Sequence, residues 1–258
     1  MKKIDLNCDL GESFGNYKCG MDEKVIPYIS SANIACGFHA SDPCVMSEAV
    51  RMCKEENVEV GAHPGYADLV GFGRRNMNIA PTELKFIVQY QIGALKAFCK
   101  ANDISLSHVK PHGAMYNMAA KDMKLASAIA EGIYEVDPEL ILLGLSGSML
   151  VKAARDTGLK AANEVFADRA YEDDGSLVQR TKEGAMITDE NLAIERVVQM
   201  VKDGTVKTIT GNLIELEADS VCLHGDGVKA VEFAKSISER LKAENIKICG
   251  LEEVIKGE

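Results

Sequence analysis

Four of the five histidines in this 258-residue sequence end short apolar runs of the kind that form buried strands. Each is followed by a small residue or a proline, and the four are His39, His63, His112 and His224. In a parallel α/β fold such positions meet at the carboxyl edge of the sheet, where active sites form. A neutral imidazole there takes a proton from water or binds a metal. We therefore predict that the four histidines line one cavity. The alternative, for each histidine taken alone, is that it merely caps a strand.

Charged side chains end the same runs. The segment Asp9-Leu10-Gly11-Glu12 closes the first run with two carboxylates around a glycine, and Lys110 precedes His112 by two residues. Residues two apart share a strand face, so Lys110 and His112 would point into the same cavity. We predict Asp9, Lys110 and the four histidines as catalytic residues, with Lys110 meeting Asp9, Glu59 or a substrate carboxylate. A divalent metal, whose presence stays open, would be held by Asp9, His39, His63 and His112.

A second set of polar residues around these runs is predicted to bind substrate. Its members are Asn7, Glu12, Arg74, Asp168, Arg169 and Asp226. The alternative for Asp168 and Arg169 is a surface ion pair. Asp226 would orient His224, cap the following helix, or both. The segment Gly71–Arg75 is a weak candidate for a phosphate loop, since the sequence contains no G-x-x-x-x-G-K-[ST] motif.

Short apolar runs alternate with helical patterns along the whole chain, which predicts parallel strands joined by crossover helices. Predicted strands are Ile4–Asp9, Ala32–Phe38, Val58–His63, Ser107–His112, Leu140–Leu145, Ala161–Phe166 and Ser220–His224, with a weaker one at Ile246–Cys249. Helices are predicted over Pro43–Glu56 (N-capped by Asp42), Pro81–Ala101, Leu125–Ile133, Leu192–Val201 and Val228–Leu241. In the first strand, Asp5, Asn7 and Asp9 share one face. If the apolar faces meet the helices, these polar faces point into a barrel.

Two connections, 64–78 and 168–188, are longer than simple turns, and loops of this length are usually functional or mobile. Val206–Glu217 is predicted to hold a short hairpin around Gly211 and Asn212. Because no linker, repeat or low-complexity segment divides the chain, we predict one domain over residues 1–258.

Composition excludes several classes of function. A formal net charge of −10 disfavours nucleic acid and anionic membrane surfaces as partners. No run of about 20 apolar residues exists, and Asp5, Asn7 and Asp9 interrupt any apolar core of a signal peptide. Eight cysteines without a C-x-x-C pair are typical of reduced thiols, so a cytoplasmic location is expected.

Six segments resemble the family of the 5-oxoprolinase A subunit, also called the LamB/YcsF family. They span the chain in order and are DLNCDLGE (5–12), ANIACGFHA (32–40), GAHPGY (61–66), VKPHGA (109–114), EVFADR (164–169) and VCLHGD (221–226). The resemblance implies a distorted TIM-like (β/α) barrel akin to glycoside hydrolase and deacetylase barrels. We predict seven or eight strands, with seven favoured.

The resemblance also implies a function: opening 5-oxoproline (pyroglutamate) to L-glutamate with ATP hydrolysis, as part of an enzyme with two further subunits. It leaves open which subunit holds ATP, whether a metal takes part, and whether this chain forms a homo-oligomer. Lys110 or Arg169 would hold the substrate carboxylate and His112 would act as base. The alternatives are a stand-alone metal-dependent deacetylase or amidohydrolase, and a non-catalytic lactam-binding subunit.

Overall fold

Seven parallel strands form a closed barrel in the computed structural model, which describes residues 1–223 and 228–256. The barrel strands are β1 (Lys3–Leu10), β2 (Ser31–Ala35), β3 (Glu59–His63), β4 (Leu106–Val109), β5 (Ile141–Leu145), β6 (Lys160–Phe166) and β9 (Ser220–Leu223). Pairing of β9 with both β6 and β1 closes the ring. The outer strand β10 (Lys247–Ile248) pairs with the start of β1, and β7 (Thr205–Lys207) and β8 (Leu213–Glu215) form the predicted hairpin.

Helices connect the strands and cover the barrel. They are α1 (Asp22–Val25), α2 (Pro43–Glu56), α3 (Pro81–Ala101), α4 (Gly113–Ala119), α5 (Met123–Val136), α6 (Met149–Thr157), α7 (Glu190–Asp203), α8 (Val228–Ala243) and α9 (Leu251–Ile255), with a 3-10 turn at Ile26–Tyr28. The start of α2 is as predicted: Pro43 is its first residue, and the Asp42 carboxylate accepts from the backbone N–H groups of Cys44 and Val45. No helix in the described ranges is long and apolar enough to cross a membrane.

The barrel strands are apolar outside and polar inside, as predicted. On β1, Ile4 and Leu6 are fully buried in the main hydrophobic cluster, whereas Asp5 and Asn7 are fully buried among polar groups. Lys110, just after β4, reaches groups on the distant strands β1, β6 and β9, so these contacts cross the interior. We call the carboxyl ends of the barrel strands the mouth and their amino ends the base.

Two predicted strands end early, and the helices α4 and α6 were not predicted from the sequence patterns. The second ends at Ala35 rather than Phe38, because Gly37 turns the chain with φ +90°. The fourth ends at Val109 rather than His112, because Pro111 has no N–H to donate. His112 is the N-cap of the unpredicted helix α4, and α6 was likewise not predicted. That residues 1–258 form one domain stays a prediction.

Candidate active site at the mouth of the barrel

Three of the four predicted histidines converge at the mouth. His39, His63 and His112 follow the neighbouring strands β2, β3 and β4 or end them, and their side chains are buried. The rings of His39 and His112 stack in parallel with centroids 3.7 Å apart, and His63 lies edge-on to both at 5.4 and 4.8 Å. His224, the fourth, lies outside the described residues, as does Asp226.

Backbone carbonyls decide which nitrogen carries the proton in two of these rings. His63 Nδ1 lies 2.7 Å from the Lys110 carbonyl, and His112 Nε2 lies 2.8 Å from the Phe72 carbonyl. A carbonyl only accepts, so both nitrogens must donate. In neutral rings, His63 Nε2 and His112 Nδ1 then face each other with lone pairs at 2.9 Å. That contact is repulsive unless a proton or a cation lies between the nitrogens.

A carboxylate completes a set of donor atoms suited to a divalent metal. Ligand atoms of Glu12, His39, His63 and His112 all lie within 4.8 Å of one another. Glu12 Oε1 is 3.5 Å from His39 Nε2 and 3.6 Å from His112 Nδ1. Metal–ligand bonds of about 2.1 Å in tetrahedral geometry separate ligands by about 3.4 Å. Within the described chain neither nitrogen of the buried His39 ring has a hydrogen-bond partner, and a metal would bind the lone pair of one of them.

The carboxylate in this set is Glu12, whereas the sequence pattern pointed to Asp9 beside the three histidines. Glu12 reaches the rings because Gly11, at φ +67°, turns the chain directly after β1. Asp9 remains beside the set, with its Oδ2 3.3 Å from His63 Nε2. Its other oxygen, Oδ1, accepts from Lys110 Nζ and Asn33 Nδ2, both at 2.9 Å.

Lys110 is surrounded by acceptors deeper in the barrel. Its Nζ lies 2.9 Å from Asp9 Oδ1 and 2.8 Å from Glu164 Oε1, with Asn7 Oδ1 at 3.2 Å and Cys222 Sγ at 3.3 Å. The predicted contact with Asp9 is thus present. Glu59, the other protein carboxylate named for Lys110, lies instead at the base and accepts from the Glu252 N–H. An ammonium has three N–H groups, so these partners leave none for a substrate carboxylate.

Burial and charge set the ionisation of this cluster. Burial alone would raise the pKa of Asp9, but His63 and Lys110 outweigh it and hold that pKa well below its usual value. Burial alone would lower the pKa of Lys110, but the carboxylates of Asp9 and Glu164 raise it well above the ordinary value. Burial and the neighbouring rings lower the pKa of His39 strongly and that of His112 to about 3. Both rings are therefore neutral at pH 7, the form that binds metal.

Four polar residues in contact with this cluster were absent from the predicted site. Glu164 pairs with Lys110 and accepts from the Tyr116 hydroxyl at 2.6 Å. Asn33 and His108 lie beneath Asp9. Strand alternation places His108 on the same face as Lys110, and Asn33 and Glu164 lie in segments that match the family. The sequence therefore contained the information needed to include these three residues in the predicted site. Tyr116 lies on the unpredicted α4.

The predicted substrate-binding residues fall into separate groups. Asn7 lies deep in the barrel against Lys110, whereas Arg74 is exposed at the rim, 5.0 Å from the Phe72 ring centroid. Asp168 and Arg169 follow β6 at the mouth. Arg169 is 5% exposed, so it is not part of a surface ion pair. Its Nη2 donates to the Val178 carbonyl at 2.6 Å, and its Nε has no hydrogen-bond partner among the described residues.

The segment Gly71–Arg75 does not offer a phosphate cradle. The N–H of Gly71 donates to the Asp68 carboxylate, and those of Gly73 and Arg74 donate to carbonyls within the same loop. The Arg75 guanidinium pairs with the Asp68 carboxylate. Phosphate loops need free N–H groups pointing at the ligand, and these are used.

Fold and site together define a class: a closed parallel β/α barrel with a histidine–carboxylate cluster at its mouth, which is where enzymes of this fold have their active sites. A deacetylase solved with its substrate (T48 deacetylase) has the same fold, with a TM-score of 0.50 at 12% identity over 99% of this chain and 92% of that one. That similarity concerns the fold alone.

The chain belongs to the LamB/YcsF family, whose sequence profile matches residues 4–256. A relative from Clostridium beijerinckii, named as the 5-oxoprolinase A subunit, is 65% identical over 98% of this chain and 100% of its own length. A protein of the same name from Campylobacter jejuni subsp. doylei is 57% identical over 99% and 100%. The crystal structure of the lactam utilization protein from Thermus thermophilus superimposes with a TM-score of 0.91, at 44% identity over 96% and 99%. The predicted family and barrel are confirmed.

Proposed function

We propose that this chain is the A subunit of an ATP-dependent 5-oxoprolinase, which cleaves 5-oxo-L-proline to L-glutamate while ATP is hydrolysed. The observation that carries the proposal is the full-length match to relatives that bear the name of this 5-oxoprolinase component. The mouth cluster supports it, because opening a lactam by water needs a base, a fixed carboxylate and a site that excludes bulk water.

The reaction sets definite tasks for these residues. The lactam amide is a poor electrophile, and phosphorylation of its oxygen by ATP would turn that oxygen into a leaving group. Water then adds to the ring carbon and the ring nitrogen leaves as the amine, which opens the ring to an acyl phosphate. A second water displaces the phosphate and gives L-glutamate. The unprotonated ring nitrogens, His63 Nε2 and His112 Nδ1, are placed to take a proton from the attacking water. Asp9 stabilises the positive charge that this forms on His63.

Substrate binding falls to Arg169 in this proposal, because Lys110 is saturated by Asp9 and Glu164. Arg169 is buried at the mouth and forms no ion pair with a carboxylate of the described residues. A buried guanidinium with a vacant N–H is suited to a carboxylate such as that of 5-oxoproline. Arg74 at the rim is the second cation within reach of incoming substrate.

A divalent metal fits the donor atoms of Glu12, His39, His63 and His112. When bound there, it would polarise a carbonyl or lower the pKa of a bound water. It would occupy the unprotonated nitrogens of His63 and His112, so these rings accept a proton only when the metal is absent. This cluster also favours the second candidate function, a stand-alone metal-dependent amidohydrolase. The two differ in their requirement for ATP and for further subunits.

ATP is proposed as a co-substrate of the whole enzyme, with two further subunits as partners. The loop Gly71–Arg75 offers no free backbone donors for phosphate, which favours ATP binding elsewhere in the complex. We expect the isolated chain to turn over 5-oxoproline poorly. The eight cysteines are all free thiols, which supports a cytoplasmic location as part of the proposal.

The test is glutamate release from 5-oxoproline by the three-subunit mixture, with and without ATP and with each subunit omitted in turn. The proposal expects release only when ATP and all three subunits are present. ATP-independent release by this chain alone, stimulated by added Zn²⁺ or Mn²⁺, would favour the amidohydrolase. Full turnover by a complex carrying His112→Ala would favour a non-catalytic lactam-binding role.

A further inference from the structure

A hydrogen-bonded network lies beneath the mouth cluster, with the side-chain amide of Asn33 at its centre. Asn33 Nδ2 donates to Asp9 Oδ1 at 2.9 Å and to Asn7 Oδ1 at 2.8 Å. Asn33 Oδ1 lies 2.8 Å from Nε2 of His108. Asn33 and His108 are fully buried, and none of their side-chain hydrogen bonds within the described part of the chain goes to the proposed metal ligands or to Arg169.

The hydrogen bonds of the Asn33 amide have only one permitted direction. The Asn33 amide must turn its NH₂ toward Asp9 and Asn7, because both neighbours present oxygens there. Its carbonyl oxygen therefore faces His108, so Nε2 of that ring must carry the proton. His108 Nδ1 is then an acceptor, and the Ser107 hydroxyl lies 2.6 Å from it. Burial lowers the pKa of His108 to about 3, so the ring is neutral.

The fold makes room for this imidazole at one position. A Cβ on Gly61 of the neighbouring strand β3 would overlap the His108 ring. The β3–β4 pairing also shifts register between Val60 and Gly61, where the ring enters. Gly61 therefore lets the ring of His108 reach Asn33.

We propose that His108 is a positioning residue: its Nε2–H fixes the Asn33 amide, which in turn fixes the Asp9 carboxylate so that Oδ2 faces His63. The inference rests on the proposed function, since Asp9 matters for turnover only if the mouth is the catalytic site. His108 touches no substrate in this scheme, and it acts through Asn33 and Asp9.

Three variants of the assembled three-subunit enzyme test the proposal. His108→Leu removes the donor, and Gly61→Ala displaces the ring while leaving the imidazole in the chain. Both should lower kcat by about 10- to 100-fold, the usual cost of losing a partner that orients a catalytic ligand. KM for 5-oxoproline should stay within about twofold, because Asp9 acts on the attacking water rather than on bound substrate. His108→Gln places an N–H near the position of Nε2 and should restore most of kcat.

Val109→Ala is the matched control, since Val109 is the next residue on β4 and packs outward in the hydrophobic cluster. It should lower the melting temperature with little change in kcat. If it lowers kcat as far as His108→Leu at an equal loss of melting temperature, the role of His108 is structural and the proposal is wrong. Equal kcat losses in His108→Gln and His108→Leu would also overturn it.

Imidazole ¹⁵N NMR of the wild-type chain tests the network independently of activity. The proposal requires His108 as the neutral ring with the proton on Nε2, and a proton on Nδ1 would overturn it. If the wild-type complex releases no glutamate with ATP, the proposed function fails instead, and this tautomer measurement still decides the network.

Discussion

The mouth and the base of the barrel shift the pKa of a buried aspartate in opposite directions. Asp5 and Asp9 lie on one face of β1, four residues apart. Among the described residues, the carboxylate of Asp5, toward the base, accepts hydrogen bonds from the hydroxyls of Ser30, at 2.6 Å, and Ser220, and burial raises its pKa to about 6. Asp9, at the mouth, faces Lys110 and His63. These two groups outweigh its burial and hold its pKa well below the usual value.

A neighbouring cation, rather than depth or hydrogen bonding, therefore decides how these carboxylates ionise. The base also opens on a cavity of about 310 Å³ lined by Ser30, Glu59 and Lys242. Burial raises the pKa of Glu59 there to about 7. Cavity size therefore does not identify the site. The mouth is distinguished by convergent donor atoms and a fixed charge, and four predictions test this contrast.

The largest expected effect is the loss of turnover when a histidine of the mouth is substituted. His112→Ala in the assembled complex should lower kcat by ~10²–10⁴-fold, because it removes a bare nitrogen facing His63 that is placed to take a proton. Ser238→Ala, which alters a residue lining the base cavity, is the matched control and should leave kcat near the wild-type value. Steady-state glutamate release measures both, and a wild-type kcat in His112→Ala would exclude it as base.

The next effect is on stability. Lys110→Met should lower the free energy of unfolding by about 3–5 kcal/mol, since Asp9 and Glu164 would be left as buried charges without a cation. Lys160→Met removes an exposed ion pair with Glu139 and should cost no more than about 1 kcal/mol. Urea unfolding of the purified chain compares the two. Equal losses would show that the mouth cation has no special role.

A mirrored pair of substitutions tests the opposite pKa shifts. Because folding raises the pKa of Asp5 from 3.8 to about 6, wild-type stability should fall by roughly 3 kcal/mol between pH 4 and 6 through this group. Asp5→Asn removes that loss and should stabilise the chain by about 1–3 kcal/mol at pH 7, with no effect near pH 4.

Asp9→Asn should act with the opposite sign, because folding lowers the pKa of Asp9. The ionised Asp9 therefore contributes stability at every pH above its unfolded-state pKa, and this stability is lost only as the pH falls below that value. A loss of about 1.5–3 kcal/mol at pH 7 is expected for a charged hydrogen bond to Lys110. Unfolding curves from pH 4 to 8 compare the pair, and effects of the same sign at pH 7 would refute the contrast between mouth and base.

The smallest expected effect concerns which cation at the mouth, Arg169 or Arg74, binds the substrate carboxylate. Arg169→Gln should raise KM for 5-oxoproline by about 10- to 100-fold, the value of one charge-assisted contact, with a smaller change in kcat. Lys182→Gln, which removes an exposed ion pair with Glu172 on the same 168–188 loop, is the control for loop integrity and should leave KM near the wild-type value. An unchanged KM in Arg169→Gln would move carboxylate binding to Arg74.

The alternation of apolar and polar residues along the chain predicted the barrel together with the family resemblance, which implied the same fold. Parallel strands joined by helices must bury apolar faces outward, so the polar faces of β1 and β4 were predictable from residue order. Histidines and carboxylates at strand ends were predicted to converge for the same reason, and His39, His63, His112 and Asp9 do.

Only the tertiary structure decided which polar groups pair with which. Lys110 is paired with Glu164, and Glu12 completes the donor set of the histidines, because barrel closure brings strands distant in sequence within hydrogen-bond reach. The local sequence determines the face on which a side chain lies, since that follows from the backbone period. Partner choice across the barrel depends on the register and radius of all seven strands together, which no local pattern encodes.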